Sequence, residues 1–206
     1  MTIMPTGNVR RFIDSNRAVA AVEFAMIMPI LLLLFLGSFD AGNAIAVYAK
    51  VRAATYALAS ITNQYSNGAT TATAPAISTT TMTAITGATT AILAPYSSSP
   101  ATVVISQIQA ASATKAYVSW SYSPTAGQAL TQGAAYTGLP SNFAANTCNG
   151  TYPCYAILAK VSYTFTPMFG AFLTGPITLS DSIYTTPRIS QCVQYNSIPN
   201  NCATLL

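Results

Sequence analysis

Residues 19–37 read VAAVEFAMIMPILLLLFLG, and the only charge in this run is Glu23. A helix rises about 1.5 Å per residue, so the run is about 28 Å long, enough to cross a hydrocarbon core of about 30 Å. Arg10, Arg11 and Arg17 precede it, and Asp40 is the first charge after it. Basic residues favour the cytoplasmic side, which predicts a cytoplasmic N-terminus and an outward-facing remainder. A cleavable secretory signal is the competing reading, because Asn43, Ala44, Ile45 and Ala46 supply small residues of the kind found at a peptidase site. Against it, the apolar run is longer than the usual signal core of about 7 to 15 residues.

Two residues interrupt the apolar pattern. A carboxylate in hydrocarbon costs a few kcal/mol and usually has a partner. Glu23 lies only about 6 Å inside the run by helical rise, so snorkelling toward the headgroups would also accommodate it. Pro29 removes one helical hydrogen bond and favours a kink, which membrane helices tolerate when neighbours satisfy the freed carbonyl.

Beyond the run, Val47, Val51, Ala54, Leu58 and Ile61 recur at spacings of four, three, four and three, which makes one apolar stripe on a continuing helix. Lys50, Arg52, Thr55 and Asn63 fall off that stripe, and the helix is expected to end near Asn67-Gly68. Residues 69–83 read as a Thr/Ala/Ser-rich loop entering a short second helix that runs to about Leu93. Ala94-Pro95 and the stretch 97–100 then break the chain.

Strand patterns follow at 102–108, at 115–122 and at 155–165, with Ile177, Leu179 and Ile183 repeating the period later. In the second of these, Ala116, Val118, Trp120 and Tyr122 are expected to share the buried face. In the third, Tyr155, Ile157, Ala159, Val161, Tyr163 and Phe165 share one. Asp181 is in phase with the last apolar face, which predicts an ion pair with Arg188 or Lys160, or a place at a sheet edge. The connection 124–149 is long and holds Gly127, Gly133, Gly138 and Pro140, a mark of a functional or mobile loop.

Composition sets the function class by exclusion. Charged residues make up 6% of the chain, against roughly 25% in an average soluble domain, and the polar remainder is rich in Ser and Thr, as suits an exported protein. After residue 52 the basic residues are Lys115, Lys160 and Arg188, too few to neutralise a phosphate backbone, so no nucleic acid is expected as partner. The chain has no histidine, and its outward carboxylates are Asp40 and Asp181, a poor set for general acid–base work. No G-x-S-x-G, Walker A or G-x-G-x-x-G motif is present, and the one S-x-x-K match, Ser112-Ala113-Thr114-Lys115, is a short pattern with no second motif beside it. No catalytic residue and no cofactor is therefore assigned, and the chain is not expected to be an enzyme.

Cys148, Cys154, Cys192 and Cys202 are an even set in the last third of the chain. In an oxidising compartment they read as two disulfides with three possible connectivities. The sequence-local pairing, Cys148 with Cys154 and Cys192 with Cys202, is favoured because it closes short loops holding Gly or Pro turn signals. A metal site is not expected, since C-x-x-C spacing and histidine are both missing.

The stretch from Arg17 through Val22-Glu23-Phe24-Ala25, followed by Met28-Pro29 and the Leu-rich run to Gly37, resembles the N-terminal signature of TadE-like pseudopilins of Tad/Flp pilus systems. Thr186-Pro187-Arg188 after a predicted strand resembles the family's Pro-Arg near the C-terminus. The resemblance implies cleavage between Ala18 and Val19 by a prepilin-type peptidase, where the family more often has Gly in place of Ala18. Glu23 would then be the fifth residue of the mature chain. Glu23 and Phe24 would act in subunit assembly, the carboxylate meeting the new amino terminus of a neighbouring subunit.

The expectation is thus an α+β, pilin-like protein. Residues 1–18 form a cytoplasmic basic leader, 19–39 a transmembrane helix, 40–67 its continuation, and 68–206 a periplasmic domain with a second helix and an antiparallel sheet. The implied function is that of a minor pilin-like subunit in the inner membrane, supporting pilus assembly and surface adhesion with other pilin or pseudopilin subunits as partners. The alternative is a secreted or membrane-anchored adhesin or ligand-binding module whose aromatic-rich sheet carries the activity.

Overall fold

The structure, a computed structural model, describes residues 16–65, 76–140, 143, 148, 150–170, 175–195 and 202. It is α+β: a long apolar helix, a second helix and a four-stranded antiparallel sheet. Helix α1 is Asn16–Asn63 and α2 is Thr79–Leu93. The strands are β1 (Ala76–Ile77), β2 (Ala101–Ala110), β3 (Ala116–Tyr122), β4 (Cys154–Phe165), β5 (Ile177–Thr185) and β6 (Gln194–Tyr195). Two compact units result, one of residues up to 44 with 167–175, the other of 45–166 with 176–206.

The larger unit is built on the sheet, in the order β3-β2-β4-β5. Its core joins Val47, Val51, Ala54 and Leu58 of α1 to Met82, Ile85 and Leu93 of α2 and to Ile105, Trp120, Ile157, Ala159 and Val161 of the sheet. The α2 helix starts where Ser78 caps it, its Oγ accepting from the Thr81 amide at 3.1 Å. Its buried positions, Met82, Ile85, Thr86, Thr89 and Leu93, follow the helical period. Burying each large aliphatic side chain contributes on the order of 1.5 to 3 kcal/mol, so this stripe, more than helix propensity, holds α2 in place.

The stripe on α1 departs from its sequence reading at the far end. Ile61 is 43% exposed, while Thr55, Ala59, Thr62 and Asn63 are buried. The 3.6-residue period drifts round the helix, so Leu58 is followed by Thr62 and not by Ile61. Thr55 tolerates burial because its hydroxyl donates to the Val51 carbonyl at 2.9 Å. The helix also ends at Asn63, short of the expected Asn67-Gly68, which lies outside the described residues. There the Arg188 amide donates to the Asn63 carbonyl at 2.9 Å, tying the Pro-Arg segment to the helix end.

In β3 the expected single buried face is split. Gln107 pairs with Trp120 but Ile108 pairs with Val118, so Ser119 is an extra residue in a bulge. Trp120 and Tyr122 therefore pack on the helix-covered face, whereas Ala116 and Val118 join Ile108 and Leu158 on the other. That second face is covered by Leu130, Tyr136 and Leu139 of the long connection and by Tyr184. The connection also closes the β3 edge, through Val118 N–H to the Ala134 carbonyl at 3.0 Å and Tyr136 N–H to the Ala116 carbonyl at 2.8 Å. Its described part is a cover for one sheet face, which accounts for its length.

Asp181 lies half-buried on the edge strand β5, opposite Val161. Directly opposed residues share a face, so Lys160, opposite Ser182, points the other way and is not its partner. Arg52 of α1 feels the charge of the Asp181 carboxylate. Arg52 lies 6.0 Å over the Tyr56 ring; its bond to that hydroxyl, then the charges of Tyr56, Tyr48 and Asp181, raise its pKa.

Candidate functional site

The first feature of the site is a helix stretch, 19–35, whose side chains are exposed among the described residues. Val19, Val22, Phe24, Met26, Ile27, Met28, Ile30 and the leucines 31–34 are all exposed, as is Glu23. The helix is long and apolar enough to cross a membrane, and its most apolar window has no buried part. An apolar surface on all sides of a helix is stable only in lipid or against other helices. The helix runs through Pro29, and Ser38 returns a hydrogen bond to the Phe35 carbonyl at 2.7 Å. One such helix near the N-terminus fits a single-pass membrane protein.

The second feature stands at the end of that run. Asp40 is only 7% exposed, and its carboxylate accepts three backbone N–H bonds. Oδ1 takes the Met168 amide at 3.0 Å, and Oδ2 takes Phe169 at 2.9 Å and Gly170 at 2.6 Å. Burial works against the charge, but the bonds from Gly170, Phe169 and Met168 outweigh it and hold the pKa below the ordinary carboxylate value. Phe39 and Phe169 meet edge to face beside it, with ring centroids 5.9 Å apart.

The third feature is the C-terminal segment. The structure forms the disulfides Cys148 to Cys154 and Cys192 to Cys202, the sequence-local pairing. The second is fastened to the sheet: Trp120 Nε1 donates to the Val193 carbonyl at 2.7 Å, and Gln107 Oε1 accepts from the Val193 amide at 2.8 Å. The Tyr155 hydroxyl donates to the Cys202 carbonyl at 3.0 Å.

Of the residues singled out in the sequence, Val19, Glu23 and Phe24 lie together on the bare helix. Ala18 is helical, with its side chain outside the described residues; Arg10 and Arg11 lie outside them altogether. Among the described residues, no group of three or more His, Cys, Asp or Glu could hold a metal ion. The Asp40 seat was not foreseen. The available signal was its place as the first charge after the apolar run, read there for orientation alone.

Against known proteins, one family model, described as TadE-like protein, matches residues 18–60. That match spans the bare helix, Asp40 and most of the stripe that enters the larger unit. No curated protein and no solved structure matches the chain.

Proposed function

We propose, from the match of residues 18–60 to a family model described as TadE-like protein, that the chain acts in a Tad pilus system as a minor pilin-like subunit, a pseudopilin, in pilus assembly and surface adhesion. The observation that carries this reading is the exposed apolar helix with Glu23 near its start. Ala20, Ala21 and Ala25 let helices approach closely, which favours association by packing where lipid gives no hydrophobic drive between helices. Cleavage between Ala18 and Val19 by a prepilin-type peptidase would free an amino group, and the Glu23 carboxylate of a neighbouring subunit would pair with it. The pairing sets the register between subunits. In this reading the N-terminus is cytoplasmic, the helix sits in the inner membrane, and the domain is periplasmic. The chain has an assembly role and no catalytic one.

The test is Glu23→Ala in the native host, scored for piliation and for the amount of protein in the membrane. The expected result is loss of pili at an unchanged protein level. Piliation at the parental level would overturn the reading.

A further inference from the structure

The Asp40 seat does more than neutralise one carboxylate. Three consecutive amides of the β4–β5 connection converge on it, so the backbone of Met168, Phe169 and Gly170 is fixed to the helix immediately after the apolar run. Fixed in that way, the connection presents its side chains outward: Met168 is 75% exposed and Phe169 45%, next to Phe39 at 51%. A single exposed apolar residue is ordinary. Here three adjoin, and they follow a helix surface that is exposed and apolar from residue 24 to residue 35, with the Ser38 hydroxyl between them turned back onto the Phe35 carbonyl. The spacing from Glu23 to Asp40 is about 26 Å along a helix, close to the hydrocarbon thickness of about 30 Å, which puts Asp40 at the boundary of the bilayer.

We propose that Phe39, Met168 and Phe169 form one membrane-interface anchor, lying at the headgroup–acyl boundary of the leaflet where the helix leaves the bilayer, with Asp40 as its positioning residue. Phe and other apolar side chains of interfacial segments bury about 5 to 10 Å into that boundary. The occupant is lipid because the patch continues the exposed apolar surface of the helix, and the one hydroxyl between them, Ser38, is spent on the Phe35 carbonyl. Asp40 suits such a place, since its charge is met by three N–H groups when water is scarce. The anchor rests on the helix being a membrane span and not on any role in pili.

The test uses the full chain carrying Phe169→Trp, reconstituted in phosphatidylcholine–phosphatidylglycerol vesicles with or without bromine on the acyl chains. The native chain has one tryptophan, Trp120, which is buried in the core, so its emission can be subtracted. The added emission should be blue-shifted, lose most of its intensity to brominated lipid and resist aqueous iodide. Quenching by iodide with no effect of bromine would overturn the proposal. Protection from both quenchers, appearing only at high protein density, would also overturn it by showing that a second copy covers the patch. Adding Asp40→Ala should expose the new tryptophan to iodide while leaving Trp120 emission unchanged; unchanged bromine quenching would overturn the positioning role. Should Asp40→Ala disturb Trp120, the isosteric Asp40→Asn, which retains one carbonyl oxygen, should give a partial loss of bromine quenching, and no loss would again contradict it.

Discussion

Two stretches of the same helix α1 are both rich in apolar residues, yet from 19 to 39 nearly every side chain is exposed, while Val47, Val51, Ala54 and Leu58 are fully buried. The difference lies in arrangement and not in hydrophobicity. The first stretch is apolar all round, which no single sheet face could cover, so its surface is left for lipid or for other helices. The second gathers Val47, Val51, Ala54 and Leu58 on one side and sets Lys50 and Arg52 off it, so the sheet face and α2 together bury that side. A carboxylate stands near each end of the first stretch. Glu23 is exposed, and Asp40 is seated on three amides.

This contrast breaks most visibly in the buried stretch. Leu58→Ala should cost about 3 kcal/mol, by lost burial and the cavity left behind. Denaturant unfolding of the detergent-solubilised chain, followed by Trp120 emission, measures it. Leu33→Ala should leave the same transition unmoved, and an equal loss at both positions would erase the distinction. Trp120→Phe should cost about 1 to 2 kcal/mol, since the Val193 carbonyl loses its buried donor. Circular dichroism replaces emission as the probe for that variant.

A smaller, local effect concerns Asp40. Its pKa is lowered in the folded protein, so the released carboxyl binds protons more readily than the seated one. The contribution of the seat is therefore fully present above the ordinary carboxylate pKa and is lost as pH falls through the lowered folded value. Iodide quenching of the Phe169→Trp chain in detergent should stay flat from neutral pH down to the ordinary carboxylate range and rise only in stronger acid. A rise already near neutral pH would contradict that sign. A small effect on stability is likewise expected at Glu23: Glu23→Ala should shift unfolding by less than about 0.5 kcal/mol, even where it abolishes assembly.

Much of this contrast was legible in the residues. Period 2 through 155–165 reports on a face that really is buried, because it meets a continuous partner; the second helix ends at Leu93 as expected but starts at Thr79, inside the stretch 69–83 read as a loop entering it, because Ser78 caps it there. The same logic failed where one residue shifts the phase. The bulge at Ser119 turns Val118 and Trp120 to opposite faces, and nothing in Val118-Ser119-Trp120 announces it. Thr55 and Asn63 read as off the stripe because their polarity outweighs a period that drifts, and the two-residue strands β1 and β6, paired in parallel, are too short to show any period. Asp40 and the amide of Met168 are 128 residues apart, and a backbone donor carries no side-chain signature. Asp181 lies on an edge strand, one of the alternatives its phase allowed, and Arg52, which feels its charge, comes from a helix whose packing the strand pattern does not encode.

The claim at the centre of the account is that the stretch beginning at Val19 is the working face of the mature protein. Isolating the protein from membranes of its native host under non-reducing conditions, then determining its N-terminus by intact mass and terminal sequencing, tests that most directly. The account predicts a start at Val19, with Glu23 as the fifth residue and a free amino group at the head of the helix. An intact Met1 would contradict the processing on which the pairing of Glu23 depends, and a start after Ala46 would remove the face altogether.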